Sequence, residues 1–586
     1  MKKFLKINFF SNIFTKLNLF LIPLFSLLLS QLFSFGFKFQ INLQTNFKAF
    51  LINYLLWLFV FILSISLFKK RSRSLIFYLS FFSVFTLANF FKIKFLNLFV
   101  RLNDIYIIKE TAKFVFDSIR QLKVIEILYL VVAVVLFTKT IVYIKDKITN
   151  QNPPLNIRFG LFLFSTFILT FPVFFSTQFK NLITKSKIEI YIWGPIENCK
   201  NNGILFCFYD DLKNIKNPPP VNYNQQTIHQ IFSNINLTSE ELKSDKLIKP
   251  NIIVILSEAL WDVTKLPNTK FSKDPIANIR KDTTSTLISP TIGNATANVE
   301  FELLTGFSNY FLNGMVPYSQ AVRKDMPTLF TAFKEEGYQT TAIHPYYAPM
   351  YNRPQVYKNF GLDEYISMDK MDDVEYAGLF ISDKTFVKEI LKQYNSTTKP
   401  QFIFALSMQN HFPFEKDNFG ESTININSSL SSDNQDILQT YTEGINLSDD
   451  SYQNLKNELA KSDIPTIVIL FGDHLPLLNP GFQLYEEAGY STSDQTKMRS
   501  TPITIWSNFG PKLDIRQSHL SPTFLGLEIL KIADITPKHQ FAFLESISQT
   551  DTVLQVNIPQ KFTPKQISDY SLVQYDLIFG KQFSLK

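Results

Sequence analysis

The chain has 586 residues, a formal net charge of +8 and 60 phenylalanines, more than half of which lie before residue 180. The charge alone would suggest a nucleic-acid partner. Much of it flanks apolar segments, however, so a positive-inside membrane bias explains it and no nucleic-acid binding is predicted. The two cysteines, Cys199 and Cys207, form no C-x-x-C motif, which excludes a zinc ribbon and a redox site and leaves either a disulfide or two free thiols.

The amino-terminal third contains five apolar segments long enough to cross a membrane. They lie near 17–37, 47–68, 74–91, 124–144 and 159–179. The first resembles a signal peptide, but it has no small-residue cleavage site and four more segments follow, so an anchor fits better. Basic clusters at 69–73 and 145–158 indicate cytoplasmic loops. With a cytoplasmic amino terminus, five crossings place everything after about residue 180 outside the cytoplasm.

Four parts are predicted along the chain. Residues 1–180 form a five-span membrane domain, 181–248 an extracytoplasmic connector, 249–540 a catalytic domain and 541–586 a small appendage. In the catalytic domain, helical patterns such as 326–336 and 385–394 alternate with predicted strands at 252–256, 285–288, 339–343, 402–407 and 466–471. This alternation predicts an α/β sheet with helices on both faces. The Ser/Asn/Asp-rich stretch 425–446 is predicted to be a surface excursion.

Chemistry-bearing side chains follow four of these strands. They are Glu258, His344, His411 and the pair Asp473-His474. Because ligands bind beyond the carboxyl ends of the strands in open α/β sheets, we expect these side chains at one edge. An adjacent carboxylate and imidazole can both bind one divalent ion. The simpler alternatives are an Asp473 that caps a helix, a Glu258 that starts one, and a structural His411.

The segment 293–306, GNATANVEFELLTG, is the second feature. It follows a strand and opens a helix, and Gly293 permits close approach of the backbone. Thr296 lies near the helix amino terminus, where free N–H groups favour an anion. Its hydroxyl is either a nucleophile toward phosphorus or a simple helix cap. Arg353, one loop after His344, has the guanidinium that suits a phosphate, although most loop arginines are only solvated.

Five sequence segments resemble the motifs of one protein family, and they occur in the same order along the chain. They are SEALWD (257–262), GNATANVEFELLTG, AIHPYYAPMYNRPQVY (342–357), MQNHFPF (408–414) and FGDHLP (471–476). Together with the five-span plan, they resemble the lipoteichoic acid synthase family of the alkaline phosphatase/sulfatase superfamily over nearly the whole chain. The resemblance implies one divalent ion, typically manganese with magnesium as the alternative, held by Glu258, Thr296, Asp473 and His474. It also implies Thr296 as nucleophile and glycerophosphate binding by His344, Arg353 and His411.

The sequence departs from the family pattern around the head-group pocket. The Gly-Gly-Gly before the nucleophile is Gly293-Asn294-Ala295, and Phe412 replaces the Gly after the second His. The Asp and Trp usual between His344 and Arg353 are missing and are replaced within 347–350. The metal-binding residues are retained, so the resemblance predicts the reaction type better than the substrate.

The resemblance implies a multi-pass protein of the bacterial cell membrane with an extracytoplasmic catalytic domain. This enzyme would move glycerophosphate from a phosphatidylglycerol-type lipid to a cell-envelope polymer or glycolipid through a phospho-threonine. Two alternatives stay open. One is a sulfatase-fold hydrolase of phosphate or sulfate esters, although neither cysteine has the C-x-P-x-R context of a formylglycine precursor. The other is a catalytically silent membrane scaffold.

Overall fold

A computed structural model gives the fold. It describes residues 21–35, 47–96, 99–102, 127, 135, 137–145, 151–186, 188, 195–214, 219–233, 235, 249–312, 315–479 and 482–586. The chain forms two compact units, Met1–Asn217 and Pro218–Lys586.

Within its described residues, the first unit has three helices long and apolar enough to cross a membrane. They are Phe47–Leu67 (α2), Arg71–Leu96 (α3) and Leu155–Phe174 (α4), and a shorter apolar helix, Leu21–Phe35 (α1), precedes them. These three helices match the second, third and fifth predicted spans. The start of the first predicted span and most of the fourth lie outside the described residues, so the five-span count stays a prediction.

Three shorter helices follow the last of these spans. They are Ser176–Ser186 (α5), Pro195–Asn202 (α6) and Ile204–Asp211 (α7). A disulfide between Cys199 and Cys207 joins α6 to α7, which decides between the two alternatives left by the sequence. Both cysteines are buried, so the disulfide is enclosed within this helical pair.

The second unit is built on a central sheet. The strands of this unit, in chain order, are Asn251–Ser257 (β1), Lys270–Phe271 (β2), Thr283–Ile288 (β3), Gln339–His344 (β4), Glu364–Ser367 (β5), Tyr376–Ala377 (β6), Phe380–Ile381 (β7), Gln401–Leu406 (β8), Ile426–Asn427 (β9), Thr466–Gly472 (β10), Ser500–Ser507 (β11) and His519–Leu520 (β12). Eight of them form one sheet in the order β12-β3-β11-β10-β1-β8-β4-β5. The five predicted strands are confirmed as β1, β3, β4, β8 and β10, with small differences at their ends.

The middle of the sheet is parallel and covered on both faces. β10, β1, β8, β4 and β5 pair in parallel, whereas β11 runs antiparallel to β10 and β3. Along β1, Ile252 and Val254 pack into one core, and Ile253 and Ile255 pack into another. Because side chains alternate between the faces of a strand, a strand buried on both faces needs an uninterrupted apolar run.

Helices cover the two faces. In chain order they are Gln225–Ser233 (α8), Ala277–Asp282 (α9), Thr296–Thr305 (α10), Leu329–Glu335 (α11), Arg353–Asn359 (α12), Asp383–Tyr394 (α13), Ser432–Leu459 (α14), Gln483–Glu487 (α15), Gln495–Arg499 (α16), Pro522–Ile532 (α17), His539–Ser548 (α18) and Pro564–Ile578 (α19). Two of them, α18 and α19, bury side chains such as Phe541, Leu544 and Leu577 in the same core as one face of the sheet.

The predicted surface excursion at 425–446 is wrong for most of its length. The long helix α14 begins at Ser432, and its Leu438, Tyr441 and Ile445 are fully buried. These three residues follow the spacing of one helical face, but the many Ser, Asn and Asp residues between them concealed that spacing. Packing of the apolar stripe against the sheet outweighs the weak helix propensity of the polar residues.

Candidate metal centre and active site

The parallel register of β1 and β10 brings two carboxylates together. Ser257 lies beside Gly472 as the last pair of that ladder. The next residues, Glu258 and Asp473, therefore leave neighbouring strands at the same edge of the sheet. Glu258 is held there because its backbone N–H donates to Ser407 Oγ at 2.9 Å, just beyond the end of β8.

Glu258, Asp473 and His474 form a compact buried cluster. Each offers a ligand atom, and these atoms lie within 4.8 Å of one another. His474 Nε2 is 3.1 Å from Asp473 Oδ2 and 3.9 Å from Glu258 Oε1. The hydroxyl of Thr296 joins them, since its Oγ1 donates to Asp473 Oδ2 at 2.9 Å and lies 3.2 Å from Glu258 Oε2. The structure thus brings together all four residues expected to bind the ion.

Backbone groups orient the two candidate metal ligands Asp473 and His474. Asp473 Oδ1 accepts N–H groups of Ala259 and His474, each at 2.8 Å, which leaves Oδ2 facing the cluster. His474 Nδ1 lies 3.1 Å from the Leu475 carbonyl oxygen, an arrangement that assigns the proton to Nδ1. His474 Nε2 is buried and makes no hydrogen bond. A buried imidazole nitrogen with an unused lone pair beside two carboxylates fits a divalent cation.

The electrostatics of the cluster agree with this fit. Burial and the neighbouring charge of Asp473 raise the pKa of Glu258 well above its usual range, and burial also raises the pKa of Asp473. Two buried carboxylates at this distance repel each other, so their ionised forms are costly without a counter-charge. A divalent cation between them would supply that charge, with Glu258, Asp473 and His474 each offering a ligand atom.

The start of α10 places Thr296. Ala295 is the N-cap, with φ of +65°, and Thr296 is the first residue of the helix. Gly293 also has a positive φ, +75°, and a Cβ there would lie 3.1 Å from Leu477 Cβ. Thr296 is thus not the N-cap: its hydroxyl donates to Asp473 Oδ2, lies near Glu258 Oε2 and makes no bond to the helix backbone.

His344 and His411 surround the centre as neutral imidazoles. His344 is the last residue of β4, and burial, with Arg353 nearby, holds its pKa well below its usual range. Desolvation lowers the pKa of His411 to about 4, and Phe412 O lies 2.7 Å from its Nδ1. The rings of Tyr346 and Phe380 pack in series between His344 and His411, which links the two imidazoles. At neutral pH, His344 and His411 offer hydrogen bonds without charge.

Arg353 is buried and already paired. Its side chain is 2 % exposed, and its Nε and Nη2 donate to Glu300 at 3.3 and 2.5 Å. Glu300, which lies one turn after Thr296 on α10, was missed from the sequence. The signal was present, because a glutamate in the middle of an apolar helical stretch requires a partner when it is buried.

The loop before His411 is fixed from two sides. Gln409 accepts the backbone N–H of Asp383 and donates to the Gly444 carbonyl, while Asn410 donates to Ser448 Oγ. These residues were also missed, because α13 and α14 supply the partners from distant parts of the chain. Their bonds hold the backbone that carries His411.

Aromatic rings line the histidine side of the centre. Phe380 packs edge-on against His411 at 5.3 Å between ring centroids and against Tyr346 at 6.1 Å. Phe412, which replaces a glycine of the family pattern, is 38 % exposed. Tyr346, Phe380 and Phe412 together are called the aromatic rim, and Phe412 is its member that departs from the family pattern.

Known proteins resemble this chain at several levels. The Sulfatase family matches residues 250–535. A Rhizobium meliloti (strain 1021) protein whose name assigns it to cyclic beta-1,2-glucan modification is 34% identical over 463 residues, 75% of this chain and 71% of that protein. The lipoteichoic acid synthase of Staphylococcus saprophyticus is 29% identical over 157 residues, 24% of this chain and 22% of that protein. The solved Streptococcus pyogenes phosphoglycerol transferase GacH, in complex with sn-glycerol-1-phosphate, has a TM-score of 0.54 at 25% identity and covers 63% of this chain and 97% of its own.

Proposed function

Because this chain belongs to the alkaline phosphatase/sulfatase superfamily, as a relative of the lipoteichoic acid synthases and phosphoglycerol transferases, we propose that it transfers glycerophosphate from a membrane lipid to an extracytoplasmic glycan. The observation that carries the proposal is the position of Thr296 Oγ1 between Glu258 and Asp473. A hydroxyl held against two buried carboxylates and an imidazole has the surroundings of an activated nucleophile.

In the proposed reaction, Thr296 Oγ1 attacks the phosphorus of a phosphatidylglycerol-type lipid. The new bond joins Oγ1 to phosphorus, and the bond from phosphorus to the diacylglycerol oxygen breaks. Oγ1 loses its proton, and diacylglycerol leaves as the alcohol after taking up one proton from solvent. A manganese ion held by Glu258, Asp473, His474 and Thr296 would lower the pKa of the hydroxyl and offset charge on the phosphoryl oxygens.

The second step resolves the phospho-threonine. A hydroxyl of the acceptor attacks the same phosphorus and loses its proton. The bond from phosphorus to Thr296 Oγ1 breaks, and Oγ1 takes up one proton, which returns Thr296 to its starting state. His344 and His411, both neutral, would donate hydrogen bonds to phosphoryl oxygens, and Arg353 would add guanidinium N–H donors. The roles of these three residues are the part of the proposal that the family resemblance supplies.

The relatives suggest the kind of acceptor. The name of the Rhizobium relative refers to a cyclic glucan, and the Streptococcus relative is a phosphoglycerol transferase. We therefore place a cell-envelope glycan, as a polymer or a glycolipid, at the second step. The aromatic rim formed by Tyr346, Phe380 and Phe412 supports this choice, because aromatic faces pack well against the apolar faces of sugar rings.

The assay that tests the function uses the full-length protein in detergent with manganese, phosphatidylglycerol labelled in its head group, and membrane glycans as acceptors. We expect label to move to glycan and diacylglycerol to accumulate in equal amounts. Release of free glycerophosphate alone would favour a hydrolase. No manganese binding and no product would favour a silent scaffold.

The proposed location is the outer side of a bacterial cell membrane, reached by several spans. The Cys199–Cys207 disulfide supports this location, because it follows the last of the described helices that are long and apolar enough to cross a membrane, and such bonds persist outside the cytoplasm. In cells lysed directly into denaturant with a maleimide, so that burial no longer protects a thiol, we expect neither cysteine to react until a reductant is added. Mass analysis of the labelled protein measures this. The orientation is tested in intact cells with a membrane-impermeant maleimide.

Matched single-cysteine variants control that experiment. On a background without the native cysteines, Ser396→Cys should be labelled in intact cells, whereas Ser72→Cys, in the basic cluster 69–73, should be labelled only after lysis. The opposite pattern would overturn the proposed orientation. Reaction of Cys199 and Cys207 before reduction would show that the thiols are free.

A further inference from the structure

We infer that Glu300 makes this site selective for singly charged phosphodiesters over doubly charged phosphate monoesters, because it cancels the charge of the phosphate-binding Arg353. The inference rests on the proposed function and deepens it. It assigns the choice of phosphate class to a residue that does not itself touch the substrate.

The contacts of Glu300 define a closed buried network. Besides Arg353 Nε and Nη2, its carboxylate accepts the hydroxyl of Tyr357 at 2.7 Å and that of Tyr318 at 3.3 Å. Glu300, Tyr318 and Tyr357 are fully buried or nearly so. An ion pair enclosed in this way is screened little by solvent and salt, so the charge of Arg353 stays neutralised under ordinary conditions.

The network lies next to the reacting centre. Glu300 is on the same helix as Thr296, four residues further on, which is about 6 Å along the helix axis. Arg353 donates to the Glu300 carboxylate through Nε and Nη2, so the two opposite charges lie together beside the helix that begins at Thr296. Near the phosphorus, the pair supplies hydrogen-bond donors with almost no net charge.

Apart from the proposed manganese ion, whose charge Glu258 and Asp473 offset, the remaining phosphate-binding groups add no positive charge either. At pH 8, above the usual pKa of an imidazole, His344 and His411 are neutral, and desolvation lowers the pKa of both further. A lipid phosphodiester carries one negative charge, whereas a phosphate monoester carries nearly two above its second pKa of about 6. Since Glu300 already neutralises Arg353, the second charge gains no net attraction from the pair, and the site favours the diester, which is the form found in the proposed donor and in the proposed product.

A purely structural role for the pair makes a different prediction. If Glu300 served only to hold Arg353 in place, its loss would weaken monoester and diester binding alike. If Glu300 acts through its charge, its loss changes the ratio of the monoester affinity to the diester affinity. Removing the charge of Glu300 changes the affinity for the monoester, which carries one more negative charge, relative to that for the diester. At an effective dielectric constant of about 20 and a separation of about 7 Å, this change is tenfold or more.

The test measures binding, not turnover. Full-length protein carrying Thr296→Ala, in detergent with manganese at pH 8, is titrated calorimetrically with glycerol phosphate (the monoester) and glycerophosphoglycerol (the diester). We expect the diester to bind more tightly. Adding Glu300→Gln should lower the ratio of the monoester Kd to the diester Kd by about tenfold. The matched control is Glu302→Gln, because Glu302 is on the same helix and equally buried, but its carboxylate accepts hydrogen bonds from Ser308, Asn309 and Gln555. In this control the ratio of the two Kd values should not change.

Two more variants keep the inference open to refutation if Glu300→Gln does not fold. Arg353→Gln alone leaves a net negative pair and should raise the ratio. Arg353→Gln combined with Glu300→Gln restores a neutral pair and should return the ratio to its starting value, although both ligands bind more weakly. A ratio that is the same in all folded variants overturns the inference alone. Failure of both ligands to bind a Thr296→Ala protein that still binds manganese overturns the proposed function together with it.

Discussion

Replacing Thr296 by alanine is expected to abolish glycerophosphate transfer, with a loss of about 10³-fold or more, because alanine cannot form the covalent intermediate. The fold should persist, since the N-cap is Ala295 and the Thr296 hydroxyl makes no bond to the helix backbone. Thr296→Ser should keep part of the activity because it keeps a hydroxyl. The labelled-lipid assay on the full-length protein measures all three forms.

A threonine at the far end of the same helix provides the control. Thr305 Oγ1 bonds to the Phe301 carbonyl oxygen, away from the carboxylates, so Thr305→Ala should keep most of the activity at a small cost in stability. Quenching the reaction of the unsubstituted protein should trap a glycerophosphate adduct that peptide mass spectrometry locates on Thr296. Full activity of Thr296→Ala, or an adduct on another residue, would exclude the mechanism.

The sheet was predictable where burial alone determines a strand. β1 and β10 are continuous apolar runs because both of their faces are covered, and their ends identified the edge that carries Glu258 and Asp473. The strand β11, STPITIWS, was not predicted. It mixes polar residues and a proline, and it forms because β10 and β3 both pair with it in antiparallel orientation. That stabilisation comes from tertiary pairing, which the local sequence does not carry.

The residues of the site also separate into those that the sequence indicated and those that only the fold reveals. Glu258, Asp473 and His474 follow strands that pair in the sheet, and Thr296 opens a helix beside a glycine, so local patterns and the family resemblance together indicated all four. Glu300 was missed because its partner, Arg353, lies 53 residues further along the chain. A buried glutamate on an apolar helix signals that a partner exists, but only the fold identifies the partner.

Asp473→Asn is expected to weaken manganese binding and transfer together, each on the order of 100-fold or more. The substitution removes the charge that Oδ2 presents to Thr296 and His474. It also creates a conflict within the side chain. Oδ1 accepts two backbone N–H groups, so an asparagine must point its NH₂ either at those donors or at the metal-binding face. Both orientations place a donor where an acceptor is required.

A nearby aspartate separates this effect from a general loss of structure. Asp262 closes the SEALWD segment, and its carboxylate bonds to Arg280 and Thr264 instead of the centre. Asp262→Asn should therefore keep manganese affinity and transfer near their original values. Calorimetric titration of the full-length proteins with manganese, followed by the lipid assay on the same samples, compares the two variants. If Asp473→Asn binds manganese with unchanged affinity, Asp473 is not a ligand, and the proposed metal centre of Glu258, Asp473, His474 and Thr296 is wrong.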